Sequence, residues 1–304
     1  HGYTMTSDES EADVILINTC SVRDKAEQKA LGKMGLMAKN HRKHKPHVVL
    51  GFMGCMAQSR GDELFKAIPG LDVVLGTQKY HRVFHHVDSI LKQRLERRMD
   101  DVALSLLGES VCDIGEEKDS QNTIRDHIAP ENTSTAFVSI MQGCNMKCSY
   151  CIVPYTRGRE RSRSLQSILR EVLDLQAKGY REVTLLGQNV NSYVWENGER
   201  TVDFPSLLKA VAEAVPDMRI RFATSHPKDM SDAILHTIAA HPNICRHIHL
   251  PVQSGSNRIL KLMNRKYTRE WYLDRIRAIR EIIPDCGIST DIFVGFHDES
   301  EEDY

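Results

Sequence analysis

The 304-residue sequence carries almost no net charge, with 40 Lys+Arg against 41 Asp+Glu and a formal −1 at pH 7. A strongly basic or acidic field over the whole molecule is thereby excluded, so any contact with a polyanion has to be made by a local patch. No apolar run approaches the roughly 18 to 20 residues of a membrane span. The opening His1-Gly-Tyr-Thr-Met-Thr lacks the apolar core of a signal peptide. No membrane partner is expected, and the expected compartment is the cytoplasm. Repeats of fixed period and low-complexity tracts are missing as well. What is present is 41% hydrophobic and 27% charged residues, the composition of a globular chain. Its length suggests about two domains and a core that needs no disulfide or structural metal to hold it. The eight cysteines therefore call for a chemical explanation. The start at His1 rather than Met, and the acidic Glu301-Glu302-Asp303-Tyr304 at the other end, suggest a fragment cut at both ends.

The whole chain reads as α/β. Short β-branched runs at Asp13–Asn18, His47–Phe52 and Asp72–Leu75 alternate with amphipathic stretches starting near Ser21 and Ala57, the pattern of a small domain with a parallel, doubly wound sheet over 1–95. Ser21-Val22-Arg23-Asp24 has the form of a capping box, which puts Cys20 in a strand-to-helix turn. Cys55 has an equivalent place after the next strand, so both thiols fall at the carboxyl edge of one sheet, where open α/β folds bind ligands. Residues 96–134, rich in Asp, Glu, Ser and Asn without clear periodicity, read as a linker. Over 135–304 five βα units follow. Strands are expected near Ala136–Met141, Glu182–Leu186, Arg219–Ala223, Arg246–Leu250 and Ile288–Val294, with helices near 164–178, 205–214, 230–241 and 268–283, which predicts a partial TIM-like barrel.

Each strand of that series runs into a loop of polar or reactive residues: Gly143–Cys151, Gly187-Gln188-Asn189-Val190-Asn191, Thr224-Ser225-His226-Pro227, Pro251–Ser256 and Gly295–Glu299. In a βα barrel these loops converge on the catalytic face. The strongest signal among them is Cys144-x3-Cys148-x2-Cys151. Soft thiolates at that density select iron–sulfur clusters or zinc. A closed structural zinc site would need a distant fourth ligand, since no His or Cys follows before His226. Three cysteines on a four-iron cubane leave one iron open to substrate or cofactor. Zinc, buried apolar cysteines or a disulfide are the plainer alternatives.

Cys144–Cys151 resembles the signature of radical S-adenosylmethionine enzymes. The longer run from Phe137 to Arg163 is similar to their methylthiotransferase branch, as are Leu185–Tyr193, Thr224-Ser-His-Pro227 and His249–Ser256. The resemblance extends from about Gly2 to Tyr304. It implies an N-terminal methylthiotransferase domain lacking its first strand and a radical S-adenosylmethionine core incomplete at its C-terminus. Cys144, Cys148 and Cys151 would hold a 4Fe–4S cluster whose open iron chelates S-adenosylmethionine, the catalytic centre of the family. Cys20 and Cys55 match two ligands of an auxiliary 4Fe–4S cluster, with the third expected upstream of His1. The implied reaction is methylthiolation at C2 of an isopentenylated adenosine beside the anticodon of tRNA, with sulfur from the auxiliary cluster and electrons from a donor such as a flavodoxin-type reductant.

Gln188, Asn189, Ser225, His226, Gln253 and Ser254 are candidate contacts for S-adenosylmethionine because their polar groups can bind an amine, a carboxylate or a ribose. Arg157, Arg159, Arg161 and Arg163 alternate beside the cysteine loop. In an extended segment they would face one side and suit RNA phosphates, although a solvated connector has the same composition. Lys39–Lys45 reads as a solvated helix end, and Cys112, Cys245 and Cys286 as structural. Gly295-Phe-His-Asp-Glu299 departs from the Gly-Phe-Pro-Gly-Glu of many relatives, and the family's small RNA-binding β-barrel is expected beyond Tyr304. A monomer is expected. Alternatives are a sister methylthiotransferase acting on threonylcarbamoyl-adenosine in tRNA or on a ribosomal-protein aspartate, and, in another class, a non-catalytic metal-binding regulatory protein.

Overall fold

The computed structural model describes residues 2–21, 23–99, 110–123 and 134–304. They divide into two compact units, His1–Ser120 with Tyr155–Arg157, and Gln121–Pro154 with Gly158–Tyr304.

In the first unit β1 (Val14–Thr19), β2 (Val49–Gly54), β3 (Val73–Leu75) and β4 (Val111–Asp113) form one parallel sheet in sequential order. Strand side chains alternate between faces, and both faces are apolar. Ile15, Ile17, Leu50, Phe52 and Val74 pack on one side with Met34 and Ala38 of α1 (Asp24–His44), Met56 of α2 (Cys55–Arg60) and Leu64 of α3 (Glu63–Ala67). Val14, Leu16, Val49, Val73 and Leu75 pack on the other with Val83, Val87 and Ile90 of α4 (Val83–Met99). Asp72, at the entry to β3, is buried. Its carboxylate accepts from Arg42 Nη2 at 2.6 Å, from Arg94 and from the Leu50 backbone N–H at 2.8 Å.

Three expectations need correction in this unit. β4 falls inside the stretch read as a linker; Val111-Cys112-Asp113 is too short to show a periodicity, and its pairing with β3 makes it a strand. Residues 100–109 and 124–133 of that stretch lie outside the described residues. The capping box does not form: α1 starts at Asp24 with Arg23 at the N-cap and no side-chain cap, while the Ser21 hydroxyl lies 3.4 Å from that of Ser59. Finally, Cys55 is the first residue of α2 rather than part of the turn before it.

In the second unit β5 (Thr135–Ser139), β8 (Glu182–Leu186) and β11 (Arg219–Phe222) pair in parallel in the order β5-β8-β11, while β9 (Val194–Glu196) and β10 (Thr201–Asp203) form a separate antiparallel pair. A parallel bridge between Ile220 and Ile244 carries the series onward, and β12 (His247–His249) pairs in parallel with β13 (Gly287–Ser289). β13 is shorter than the expected 288–294; beyond it the only pairing among the described residues is the bridge between Gln253 and Ile292. Helices α6 (Leu165–Ala177), α7 (Phe204–Ala214), α8 (Asp232–Ala240) and α10 (Arg269–Ile282) fall where the apolar periodicity puts them. Ile168, Val172 and Leu175 of α6, and Leu207, Leu208 and Val211 of α7, are buried in the core they share with Val138, Val183, Leu185 and Ile220. Ser164, Asp203 and Thr268 cap α6, α7 and α10 by accepting from Ser167, Ser206 and Trp271. The helix α9 (Asn257–Leu262), capped by Ser256, had no sequence expectation.

Candidate functional site

The expected strand 136–141 breaks at Ile140. Its last part, β6 (Met141–Gln142), pairs antiparallel with β7 (Arg161–Ser162), so the chain between them is a closed excursion that carries all three cysteines and the short helix α5 (Val153–Arg157). Backbone closure is tight at the neck. Gly143 has φ +81°, and a Cβ there would stand 2.0 Å from the Arg159 carbonyl oxygen, so only glycine fits. The Cys144 N–H donates to the Gly158 carbonyl at 3.1 Å, and Gly143 N–H to Gln188 Oε1 at 2.7 Å. Asn145 and Glu160 clamp each other across the neck. Asn145 donates from its backbone N–H to Oε1 at 3.2 Å and from Nδ2 to Oε2 at 3.1 Å, and Glu160 N–H returns a bond to Asn145 Oδ1 at 3.2 Å. Ser192 adds a donor to Glu160 Oε1 at 3.0 Å.

Cys144, Cys148 and Cys151 are free and half-buried. Burial pushes the Cys144 thiol up to about 11 and raises that of Cys151 as well. Such thiols become ligands only when a cation compensates the thiolate. Cys148 Sγ accepts from Arg265 Nη1 at 3.3 Å. Among the described residues no three His, Cys, Asp or Glu side chains stand as a metal cage. The donor set nonetheless fits an iron–sulfur cluster: three soft thiols free of disulfides on one loop, with a guanidinium against one of them.

The loops after β8, β11 and β12 supply the rest of this site. Asn189, Ser225, His226 and Ser254 are buried. Asn189 Nδ2 donates to Asp229 Oδ2 at 2.8 Å while its Oδ1 has no partner. His226 is held by Asn191 through two backbone bonds of 2.9 Å, its Nδ1 accepts from Lys228 N–H at 3.2 Å, and its buried Nε2 has no partner. Burial, with Arg265 adding to it, drives the His226 pKa down to about 3, so the ring is neutral at pH 7. Two buried polar atoms without partners are what a polar cofactor would satisfy. Thr224 and Gln253, non-glycine residues at φ +67° and +69°, store backbone strain in the same loops. Gln188 and Ser254 are engaged within the protein: Gln188 holds the neck of the cysteine loop, and Ser254 Oγ accepts from Ser256 N–H at 3.1 Å. A cavity of about 790 Å³ lies elsewhere, along the amino-terminal ends of the strands at Thr135, Glu182, Arg219 and His247.

The four arginines do not act as one set. Arg159 is exposed, Arg161 is half-buried and donates to Gln142 Oε1 at 3.4 Å, and Arg157 closes α5. Arg163 corrects the expectation of an RNA contact, because it is 2% exposed and committed to the core. It donates to Glu171 Oε2 at 2.6 Å, to the Ser139 carbonyl at 2.6 Å and to Ser167 Oγ at 3.0 Å. Arg163 lies just past β7, next to the Ser164 cap of α6, and its guanidinium turns inward onto Ser167 and Glu171 of that helix. In the first unit Cys20 is exposed and Cys55 buried. Gly54, at φ +96°, brings the backbone before Cys55 against Thr19, where a Cβ would meet the Thr19 carbonyl at 2.4 Å. Asn145, Glu160 and Arg265 were not anticipated. The first two lie inside the signature and carry no motif of their own, and Arg265 is remote in sequence.

A parallel α/β unit with a three-cysteine loop at its strand ends defines a class, and residues 138–304 match the model of the radical SAM superfamily. The chain belongs to that superfamily. Residues 1–76 match the uncharacterized protein family UPF0004. Among curated proteins it is 57% identical over 305 residues to the tRNA-2-methylthio-N(6)-dimethylallyladenosine synthase of Akkermansia muciniphila, with 100% of this chain and 66% of that protein covered. To the synthase of the same name from Phocaeicola vulgatus it is 52% identical over 307 residues, covering 100% and 63%. The chain thus spans a little under two thirds of the length of these relatives. Among solved structures, the radical S-adenosylmethionine methyltransferase TsrM from Kitasatospora setae superimposes with a TM-score of 0.61 at 14% identity, over 92% of this chain and 55% of that one. The cobalamin-dependent S-adenosylmethionine radical enzyme OxsB does so with 0.59 at 13%, over 93% and 41%. At such identity these two likenesses concern the fold alone. No helix among the described residues is long and apolar enough to cross a membrane.

Proposed function

We propose that the chain is a transferase that methylthiolates C2 of N6-isopentenyladenosine next to the anticodon in tRNA, giving 2-methylthio-N6-isopentenyladenosine. The observation that carries this reading is the clamped three-cysteine loop beside the unpartnered Asn189 Oδ1 and His226 Nε2. The choice of substrate is supported by the synthases that resemble the chain over its whole length. Cys144, Cys148 and Cys151 would hold a 4Fe–4S cluster, and Cys20 and Cys55 two positions of a second one. When bound, the cluster and S-adenosylmethionine would supply one-electron reductive chemistry strong enough to remove hydrogen from an aromatic carbon.

The protein's own part is positional. The Glu160–Asn145 clamp and the Gly143 neck set the loop's conformation. Asn189 and His226, the latter a neutral imidazole, would bind the amine or carboxylate of S-adenosylmethionine together with Gln188, Ser225, Gln253 and Ser254. Arg157, Arg159 and Arg161 are the remaining candidates for tRNA phosphates. In this reading a doubly wound domain, 1–95, and a partial TIM-like barrel, 135–304, are joined through 96–134, with Val111–Asp113 of that stretch counted in the first sheet. A monomer working in the cytoplasm with a flavodoxin-type electron donor completes the proposal.

The test is anaerobic reconstitution with iron and sulfide, then reduction in the presence of S-adenosylmethionine and isopentenylated tRNA. 5′-Deoxyadenosine and a nucleoside heavier by one methylthio group are expected, and both should vanish in Cys148→Ala. Undiminished cleavage in that variant would reject the assigned loop. Modification of threonylcarbamoyl-adenosine or of a ribosomal-protein aspartate in place of isopentenyladenosine would move the substrate to a sister enzyme. Bound zinc with no cleavage would favour a non-catalytic metal protein.

A further inference from the structure

The cysteine loop is latched from a distance by the end of α9. Ser149 donates from its N–H to the Met263 carbonyl at 3.1 Å and from Oγ to the Leu262 carbonyl at 3.0 Å, filling acceptors that a helix C-terminus leaves open. Asn264, in the left-handed region at φ +56°, donates from Nδ2 to the Lys147 carbonyl at 2.5 Å. This turn delivers the next residue, Arg265, to the cysteines. Its Nη1 lies 3.3 Å from Cys148 Sγ and 3.5 Å from the Tyr150 hydroxyl, and its Nη2 3.4 Å from the Pro251 carbonyl. The Nε donates to the Tyr267 hydroxyl at 3.1 Å, and the guanidinium stands 5.2 Å from the centre of the Tyr267 ring. Tyr267 is itself fixed by donating to the Val252 carbonyl at 2.8 Å and by the edge of His226, 5.5 Å between ring centres.

The partners of this half-buried guanidinium are the Cys148 sulfur, two tyrosine hydroxyls and a backbone carbonyl. Among the described residues no carboxylate stands within ion-pair distance of Arg265, although other buried arginines such as Arg163 and Arg94 have one. A desolvated cation without a counter-charge is costly unless a ligand supplies the charge. Three thiolates on a four-iron core carry net negative charge, and that charge grows when the core takes up an electron.

We infer that Arg265 is a positioning residue that tunes the redox poise of the cluster held by Cys144, Cys148 and Cys151, by donating to Cys148 Sγ and placing its positive charge beside the core. It stabilises the reduced form more than the oxidised one and so raises the midpoint potential, letting a low-potential one-electron donor reduce the core. One electron enters the core, no bond is made or broken at Arg265, and no proton moves, since the guanidinium stays protonated throughout. The inference rests on the cluster site proposed above.

The test is a redox titration, followed by electron paramagnetic resonance, of anaerobically reconstituted chain with Cys20→Ala and Cys55→Ala, so that a single cluster is observed. Dithionite is the reductant and no S-adenosylmethionine is present. Arg265→Gln should retain iron but show a midpoint shifted to more negative potential. Arg265→Lys, which keeps the charge but loses the planar fork, should shift less in the same direction. An unchanged midpoint at full iron content in Arg265→Gln overturns the inference and leaves the cluster site standing. If Arg265→Gln holds less iron, the Arg265→Lys midpoint decides: a negative shift supports the tuning role and an unchanged value overturns it. Absence of a reducible cluster in the parent chain overturns the site and the inference together.

Discussion

Replacing Arg163 by Met separates a structural arginine from an RNA-binding one. Arg163 and Glu171 have side chains only 2% and 4% exposed, and their 2.6 Å contact is accompanied by bonds from Arg163 to the Ser139 carbonyl and to Ser167 Oγ. Removing one partner of such a pair strands a buried charge, at a cost of about 3–5 kcal/mol. The lost bond to the Ser139 carbonyl is part of that cost and is not added to it. For a unit of this size each kcal/mol lowers the melting temperature by about 2–4 °C, so a fall of roughly 6–20 °C is expected. Replacing both partners, Arg163→Met with Glu171→Leu, should recover most of the loss, because an apolar pair of similar volume is about as stable as the ion pair. The assay is urea unfolding followed by circular dichroism, with Arg159→Met as the exposed control, expected to change stability by no more than about 0.5 kcal/mol. A loss below about 1 kcal/mol in Arg163→Met, joined to a fall in tRNA affinity like that of Arg159→Met, would refute the assignment of Arg163 to the core.

Three further outcomes are expected. Gly143→Ala forces a Cβ against the Arg159 carbonyl at 2.0 Å in a left-handed backbone, so the neck must open; iron bound after reconstitution should fall well below wild type, while far-UV circular dichroism stays unchanged. Asp72→Ala leaves Arg42 and Arg94 without their buried carboxylate and frees the Leu50 N–H; a loss of about 3–5 kcal/mol is expected in the unfolding of the first unit, and a loss under 1 kcal/mol would contradict the hub. His226 has its folded pKa lowered from 6.5 to about 3 by burial. Above pH 6.5 the ring is neutral in both states. As pH falls from 6.5 toward 3 the unfolded chain takes up the proton and the folded chain does not, so stability is lost across that window. His226→Gln should therefore be less acid-sensitive than wild type, by on the order of a few kcal/mol at pH 4, and parallel pH profiles would reject the shift.

Much of the architecture was legible along the chain because period-two and period-3.6 apolar patterns are local. Ile168, Val172 and Leu175 mark one face of α6 before any packing is known, and Ser164, Asp203 and Thr268 announce their helices as caps. Signals failed where the element was short or the cap was overridden. Val111–Asp113 became a strand only through its pairing with β3, and Ser21 faces Ser59 rather than capping α1. The alternation of the arginines was visible, but not that Arg163 turns into the core to meet Ser167 and Glu171 of α6.

By itself, the sequence determined the chemistry on offer. Three thiols sit within eight residues, polar loops follow a series of strands, and net charge is nearly absent, all of them properties of covalent order and composition. Tertiary structure decided which of those groups remain available. Burial left Asn189 Oδ1 and His226 Nε2 without partners, engaged Gln188 at the neck of the cysteine loop and paired Arg163 with Glu171. It also brought Arg265, 117 residues away, to within 3.3 Å of Cys148. Desolvation and the meeting of remote segments depend on the packed interior, and no local pattern of residues encodes them.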